Sequence, residues 1–167
     1  MAQPPPDGPL WALLFRTGMR RADAIGLQRK HIDLARMRLM IYDGKGGKDA
    51  VLPFNDEVAA AVSDLDLLER LEPDDFLWYK HKPKDRRRTD PISTSRYAVW
   101  YRDSLAQAGV RYLNPHQTRH TYHQWLRDNG LGLEERQELM RHESPDTTVR
   151  QYGRSNFEEI AAKVAAL

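Results

Sequence analysis

The stretch from Asn114 to Tyr152 constrains this chain most, because it combines strong helix punctuation with an unusual set of polar side chains. Asn114 can cap a helix, and Pro115 suits the first helical position, where a missing N–H costs nothing. Gly130 predicts the stop. Inside that helix His116 and Arg119 lie three residues apart, so they share a face and can reach one point. A short helix is predicted over Glu134 to Arg141. His142 follows it, and a further turn or two ends near Tyr152. The residues singled out there offer two imidazoles, a guanidinium and a phenol. There is no Cys in the chain and no Ser–His–Asp pattern. Such a set suits a phosphodiester better than an acyl group: cationic donors hold the non-bridging oxygens while a phenol attacks phosphorus.

Upstream, Pro9 to Thr17 reads as a buried helix stopped by Gly18, with Arg20 at once after it and a second short helix over Arg21 to Ile25. Asp23, three residues beyond Arg20, is near enough to orient its guanidinium by a charge-assisted bond. Met37 to Tyr42 and Ala50 to Phe54 are strand-like, joined by the turn GKGGK. A phosphate loop would need GxxxxGK[ST], which is absent, so a solvated hairpin is the default for Lys45 and Lys48. Glu57 to Leu71 is an amphipathic helix with Val58, Ala61, Val62, Leu65 and Leu68 on its apolar side. Phe76 to Tyr79 is a short apolar segment with strand character.

The run KHKPKDRRR at 80–88 is the densest basic segment, either a solvated loop or a phosphate-contacting one through Arg86, Arg87 and Arg88. Ser93 predicts the cap of a helix through Ala108, with Tyr97 and Trp100 on its buried side as core aromatics. His116, His120 and His123 recur at helical spacing, which invites a zinc reading. HExxH is absent, and no cysteine or acidic ligand is placed beside them. Ser155 and Glu158 form a capping-box pattern for a last helix, whose stripe is Phe157, Ile160, Ala161, Val164 and Leu167.

Length and composition bound the rest. A chain of 167 residues with 40% hydrophobic and 30% charged residues is one domain with a real core and a polar surface. No apolar run approaches the roughly 20 residues of a membrane helix, and MAQPPPDG has no signal-peptide core. A net charge of +2 does not by itself identify a nucleic-acid binder, so local charge distribution carries that question.

The ordered motifs TGMRRADAIGL, DGKGGKDAVLPF, HxxR at His116 to Arg119, LMRHESPDTT and the later Tyr152 resemble the catalytic domain of the tyrosine recombinase (phage integrase) family. The resemblance covers nearly the whole chain. It implies an α+β fold, mostly helical, with a small antiparallel β-sheet. Residues 1–8 would be a disordered N-terminal segment and 9–167 the catalytic domain, with the family's N-terminal core-binding domain absent. By resemblance the reaction is DNA strand cleavage and rejoining through a 3′-phosphotyrosine, with Tyr152 as nucleophile. Arg20, Arg119 and His142 would hold the phosphate oxygens, Lys45 would protonate the leaving oxygen, and His116 would accept the phenol proton or position the phosphate. Asp23 would orient Arg20 from behind.

The resemblance also implies no cofactor, metal or ATP, and double-stranded DNA as partner. For the last helix, docking of its apolar stripe on its own domain is the default, whereas the resemblance implies docking of Phe157, Ile160, Val164 and Leu167 on a neighbouring protomer. The setting would be cytoplasmic and nucleoid-associated, in a bacterial or phage-infected cell. One departure stands out. The family most often places its tyrosine nine residues after the second histidine position, where this chain has Gln151; Tyr152 comes one later. A one-residue slip turns a helical side chain by about 100°. Either an irregular turn restores the aim, or Gln151 marks a catalytically inactive DNA-binding remnant of the same fold. Outside this reading, a metal-dependent hydrolase and a type IB topoisomerase remain as alternatives.

Overall fold

The computed structural model describes residues 7–44, 48–63, 68, 71–79, 89–140 and 153–167. Helix α1 spans Asp7–Thr17 and α2 spans Arg21–Ile25; strands β1 (Ile32–Asp33), β2 (Arg38–Gly44) and β3 (Lys48–Pro53) follow. Then come α3 (Asp56–Ser63), α4 (Thr94–Gln107), α5 (Pro115–Asp128), α6 (Leu133–Met140) and α7 (Gly153–Ala165). The three strands form one antiparallel sheet in the order β1-β2-β3. This is the mostly helical α+β arrangement anticipated above.

Sequence chemistry explains most boundaries. Asn55 caps α3, its Oδ1 accepting the Val58 N–H at 3.3 Å. Ser93 caps α4 by accepting the Arg96 N–H at 3.2 Å. Asn114 Oδ1 accepts the His116 N–H at 2.9 Å, and Gln117 Oε1 in turn accepts the Asn114 N–H at 2.6 Å. These bonds satisfy amide donors that a helix start leaves without intrahelical partners. Gly18 and Gly130 end α1 and α5 at φ +59° and +87°, a region that strains any side chain but not glycine.

Apolar residues sort into two cores. The larger lies among the sheet and α1 to α4; Leu39 and Leu52 face each other across β2 and β3 and are fully buried there. Tyr97 is core, as its helical spacing predicts, and Trp100 packs at the edge of the same cluster. The smaller core joins α5, α6 and α7 through Tyr122, Leu126, Leu131, Leu139, Met140, Ile160 and Val164. Helix α7 thus buries its stripe on its own domain: Ile160 and Val164 are fully buried, Phe157 is half-buried and Leu167 is exposed.

Helix α1 opens at Asp7, inside the segment 1–8 expected to be disordered, while residues 1–6 lie outside the described residues. Three other details differ from the sequence reading. Strand β1 leaves no sequence signal, because two residues cannot display alternation. Phe76 and Tyr79 make isolated bridges to Gln28 and Pro91 instead of a strand, because this segment threads between two separate chain passages. Helix α7 begins at Gly153, so Ser155 lies inside it and is no N-cap; Glu158 instead pairs with Arg38.

His31 makes one part of this scaffold pH-sensitive. It is buried, and its Nδ1 accepts the Gln28 N–H at 3.2 Å, which requires an unprotonated Nδ1. Burial first, and the Lys30 charge second, hold the imidazole below its ordinary value of 6.5. The unfolded chain therefore takes up a proton before the folded one does as pH falls below 6.5. Its contribution to stability is complete above that pH and is lost on descent toward the folded value. Melting temperature should fall more steeply below pH 6.5 in the parent than in His31→Asn, which cannot titrate there.

Candidate active site

The site is built where α1 ends against α5. Thr17 Oγ1 donates to the Leu13 carbonyl at 2.6 Å and accepts the Met19 N–H at 3.3 Å, so its hydroxyl closes the helix and starts the turn. Gly18 then passes directly over α5. A Cβ on Gly18 would lie 2.4 Å from Tyr122 Cδ1, closer than any real contact. At the same point Arg119 Nη1 donates to the Gly18 carbonyl at 2.5 Å, a bond between residues 101 positions apart. Earlier on α1, the Arg16 guanidinium lies 5.0 Å from the Trp125 ring centroid and bonds Glu57 at 2.5 Å. Arg119, Tyr122 and Trp125 follow each other at spacings of three on α5. The end of α1 is therefore fixed along one stripe of that helix.

This fixing brings the two arginine motifs together. Arg20 comes two residues after Gly18 and is half-buried. Its backbone N–H donates to Asp23 Oδ2 at 3.1 Å, so the carboxylate holds the Arg20 main chain at the start of α2. Arg119 is 5% exposed, so the donors it turns inward need protein acceptors, and the Gly18 carbonyl is one. His116, one turn earlier on α5, is exposed, and its ring centroid is 5.1 Å from that of His120, edge to face. Its place in the first turn puts it beside the positive end of the helix dipole, where an anion is favoured. Lys45, Arg86, Arg87, Arg88, His142 and Tyr152 lie outside the described residues, and with them Gln151.

The other tyrosine of this region has a different role. Tyr122 is 1% exposed, and burial raises its phenol far above the ordinary 10.0, although the Arg119 charge pulls the other way. Burial wins, so Tyr122 is a packing residue and a poor nucleophile. The three-histidine zinc reading fares no better. His123 Nε2 is 3.4 Å from Arg136 Nη1, and a guanidinium there repels a cation. Among the described residues no group of three His, Cys, Asp or Glu is placed to hold a metal ion.

Thr17 and Gly18 open the first quoted motif, but their part in the site is what sequence reasoning misses. By itself Gly18 reads as a helix stop, and nothing in the sequence says that a carbonyl there meets a guanidinium 101 positions away.

The model of the phage integrase family matches residues 6–159. The chain belongs to the phage integrase family. Among curated members, it is similar to the tyrosine recombinase XerA of Thermococcus kodakarensis, 31% identical over 138 residues, covering 81% of this chain and 46% of that protein. It is also 32% identical over 146 residues to the tyrosine recombinase XerC of Corynebacterium glutamicum, covering 85% of this chain and 44% of that one. The chain spans about half the length of the curated relatives it matches. In fold it is similar to the integrase of mycobacterium phage Brujita, with a TM-score of 0.71, 22% identity and coverage of 98% of this chain and 52% of that chain. The XerA recombinase crystal structure gives a TM-score of 0.67 at 26% identity, over 83% of this chain and 50% of that one.

The Gly18–Arg119 contact has measurable consequences for this family member. Gly18→Ala adds both a positive-φ penalty and the collision with Tyr122, so it should destabilise by more than about 1 kcal/mol. Arg119→Lys leaves the Gly18 carbonyl short of its bond and should destabilise by about 1–3 kcal/mol. At roughly 2–4 °C per kcal/mol for a domain of this size, both losses are readable as melting temperatures. Arg20→Lys, with its half-buried side chain, should leave the melting temperature within about 2 °C of the parent.

Proposed function

We propose that this chain is the catalytic domain of a tyrosine-type site-specific recombinase acting on double-stranded DNA. The observation that carries the reading is the 2.5 Å bond from Arg119 to the Gly18 carbonyl, which holds the two arginine motifs at one place with His116 beside them. Family membership and the similarity to the named tyrosine recombinases support it. A further fold neighbour, the site-specific recombinase XerH, was solved bound to its difH substrate in a pre-cleavage complex, which agrees with DNA as the partner here.

In this reading the Tyr152 oxygen attacks the scissile phosphorus and displaces the 5′-oxygen, giving a 3′-phosphotyrosine and a free 5′-hydroxyl. The ester linkage is kept throughout, so rejoining needs no external energy source. Arg20 and Arg119 face the non-bridging oxygens, where a planar guanidinium can give two parallel bonds as charge accumulates. His142 donates to the same oxygens. Lys45 protonates the leaving 5′-oxygen, and His116 takes the phenol proton or positions the phosphate. Asp23 acts through the backbone of Arg20, and Arg86, Arg87 and Arg88 contact DNA phosphates with steep salt dependence.

The place of action is wherever the cell keeps its DNA; no described helix is long and apolar enough to cross a membrane. Docking of Phe157, Ile160, Val164 and Leu167 on a second protomer would require exchange of α7, since Ile160 and Val164 are already fully buried at home.

The decisive experiment traps covalent protein–DNA adducts on nicked suicide duplexes with a randomised core. Adducts should form with the parent and with Gln151→Ala and vanish with Tyr152→Phe. Arg20→Lys should cut cleavage by roughly two orders of magnitude or more, as loss of a preorganised donor does. An adduct that survives Tyr152→Phe moves the nucleophile elsewhere. If the parent yields none, Gln151 marks the inactive DNA-binding reading.

A further inference from the structure

We propose that Arg38 is a positioning residue for the nucleophile, acting by tethering the first turns of α7 to the sheet. This rests on the reading of Tyr152 as nucleophile and adds a residue that no catalytic motif contains. Arg38 opens β2, and its Nη2 pairs with Glu158 Oε2 on α7. Its guanidinium carbon stands 5.4 Å from the centroid of the Phe157 ring, within reach of a cation–π attraction. The side chain is 23% exposed, whereas its Glu158 partner is 69% exposed. Arg38 Nε is buried and has no hydrogen-bond partner among the described residues.

Helix α7 is therefore held in two different ways. Its second half sits in the smaller core through Ile160 and Val164, reinforced by Lys163 Nζ on Glu135 Oε1 at 2.7 Å. Its first turns meet Arg38 through Phe157 and Glu158. Tyr152 immediately precedes Gly153, where α7 starts. From Gly153 to Glu158 is about 7.5 Å of helix axis, so the Arg38 contact is the anchor nearer to the tyrosine. An apolar clamp centred on Ile160 and Val164 does not by itself set the direction of that end, and a small misplacement of a reacting oxygen slows the reaction sharply.

The chemistry of the residue argues against stability as its main purpose. A partly buried guanidinium with an unpaired Nε carries a desolvation penalty that an apolar side chain of similar length avoids. A methionine would cover Phe157 and leave no orphan donor. What methionine lacks is direction: the fork fixes both the ring and the carboxylate, and so the rotation of α7 about its axis.

The test compares Arg38→Met, Arg38→Lys and Glu158→Gln with the parent, on the same pool of nicked duplexes with a randomised core. Arg38→Met should slow single-turnover adduct formation on the order of tenfold or more while DNA affinity and melting temperature stay near the parent's. Glu158→Gln should fall between, and Arg38→Lys, which keeps the charge over Phe157 and one bond to Glu158, should recover much of the rate. Hydrogen exchange of the peptide over residues 153–159 should quicken in Arg38→Met and leave α5 unchanged. Parental adduct rates with unchanged exchange in Arg38→Met overturn the proposal. So does a parallel loss of rate, affinity and stability, which marks a merely structural contact. A parent without adducts, or a Tyr152→Phe variant that still forms them, removes the underlying reading and this inference with it. The exchange data then report only whether Arg38 tethers the helix.

Discussion

The bond from Arg119 to the carbonyl of Gly18 is the constraint on which the rest of this structure turns. It joins the end of the first helix to the first third of α5, and it does so with a charged donor in a buried setting. A donor turned into the protein needs a protein acceptor, and the Gly18 carbonyl, at the end of a helix, needs a donor. Each group thus answers the other's deficit. Gly18 is the residue that permits it, because its positive φ turns the chain and its missing Cβ lets Tyr122 come close.

From that contact the two apolar cores acquire a fixed relation. Met19, next to Gly18, belongs to the larger core, and Tyr122 belongs to the smaller one. The loop carrying the first arginine motif therefore lies where the two bodies meet. Arg16 over Trp125 extends the same seam along both helices. Under the proposed function, a phosphate held there would meet Arg20 from one side and the HxxR helix from the other. Loss of packing along the seam would show first as loss of alignment, because buried side chains repack in discrete steps more readily than they slide.

Helix α7 combines the same kinds of contact in a different balance. Its apolar stripe is satisfied within its own domain, so folding already uses the surface that a second protomer would need. Near its start the contacts are polar and partly exposed, with Glu158 reaching Arg38 in place of its own helix end. Exposed ion pairs of this kind contribute little free energy.

Much of this is legible in the sequence, for reasons that are local. Asn114 with Pro115 writes the start of α5, Ser93 the start of α4, and glycines the ends of α1 and α5, because capping and positive φ depend on a few adjacent residues. The ordered motifs suffice for the family, and two strand-like runs either side of the GKGGK turn place β2 and β3. Where local signals are too short or are overridden, the reading fails. Two-residue β1 can show no period, and the Ser155–Glu158 pattern loses to an arginine 120 positions away in the chain. Only the tertiary structure decides that Arg119 gives one donor to the Gly18 carbonyl, that Tyr122 is walled in as packing, and that Arg38 meets α7. Those outcomes depend on which buried groups need partners once the chain is compact, and sequence spacing carries no record of that.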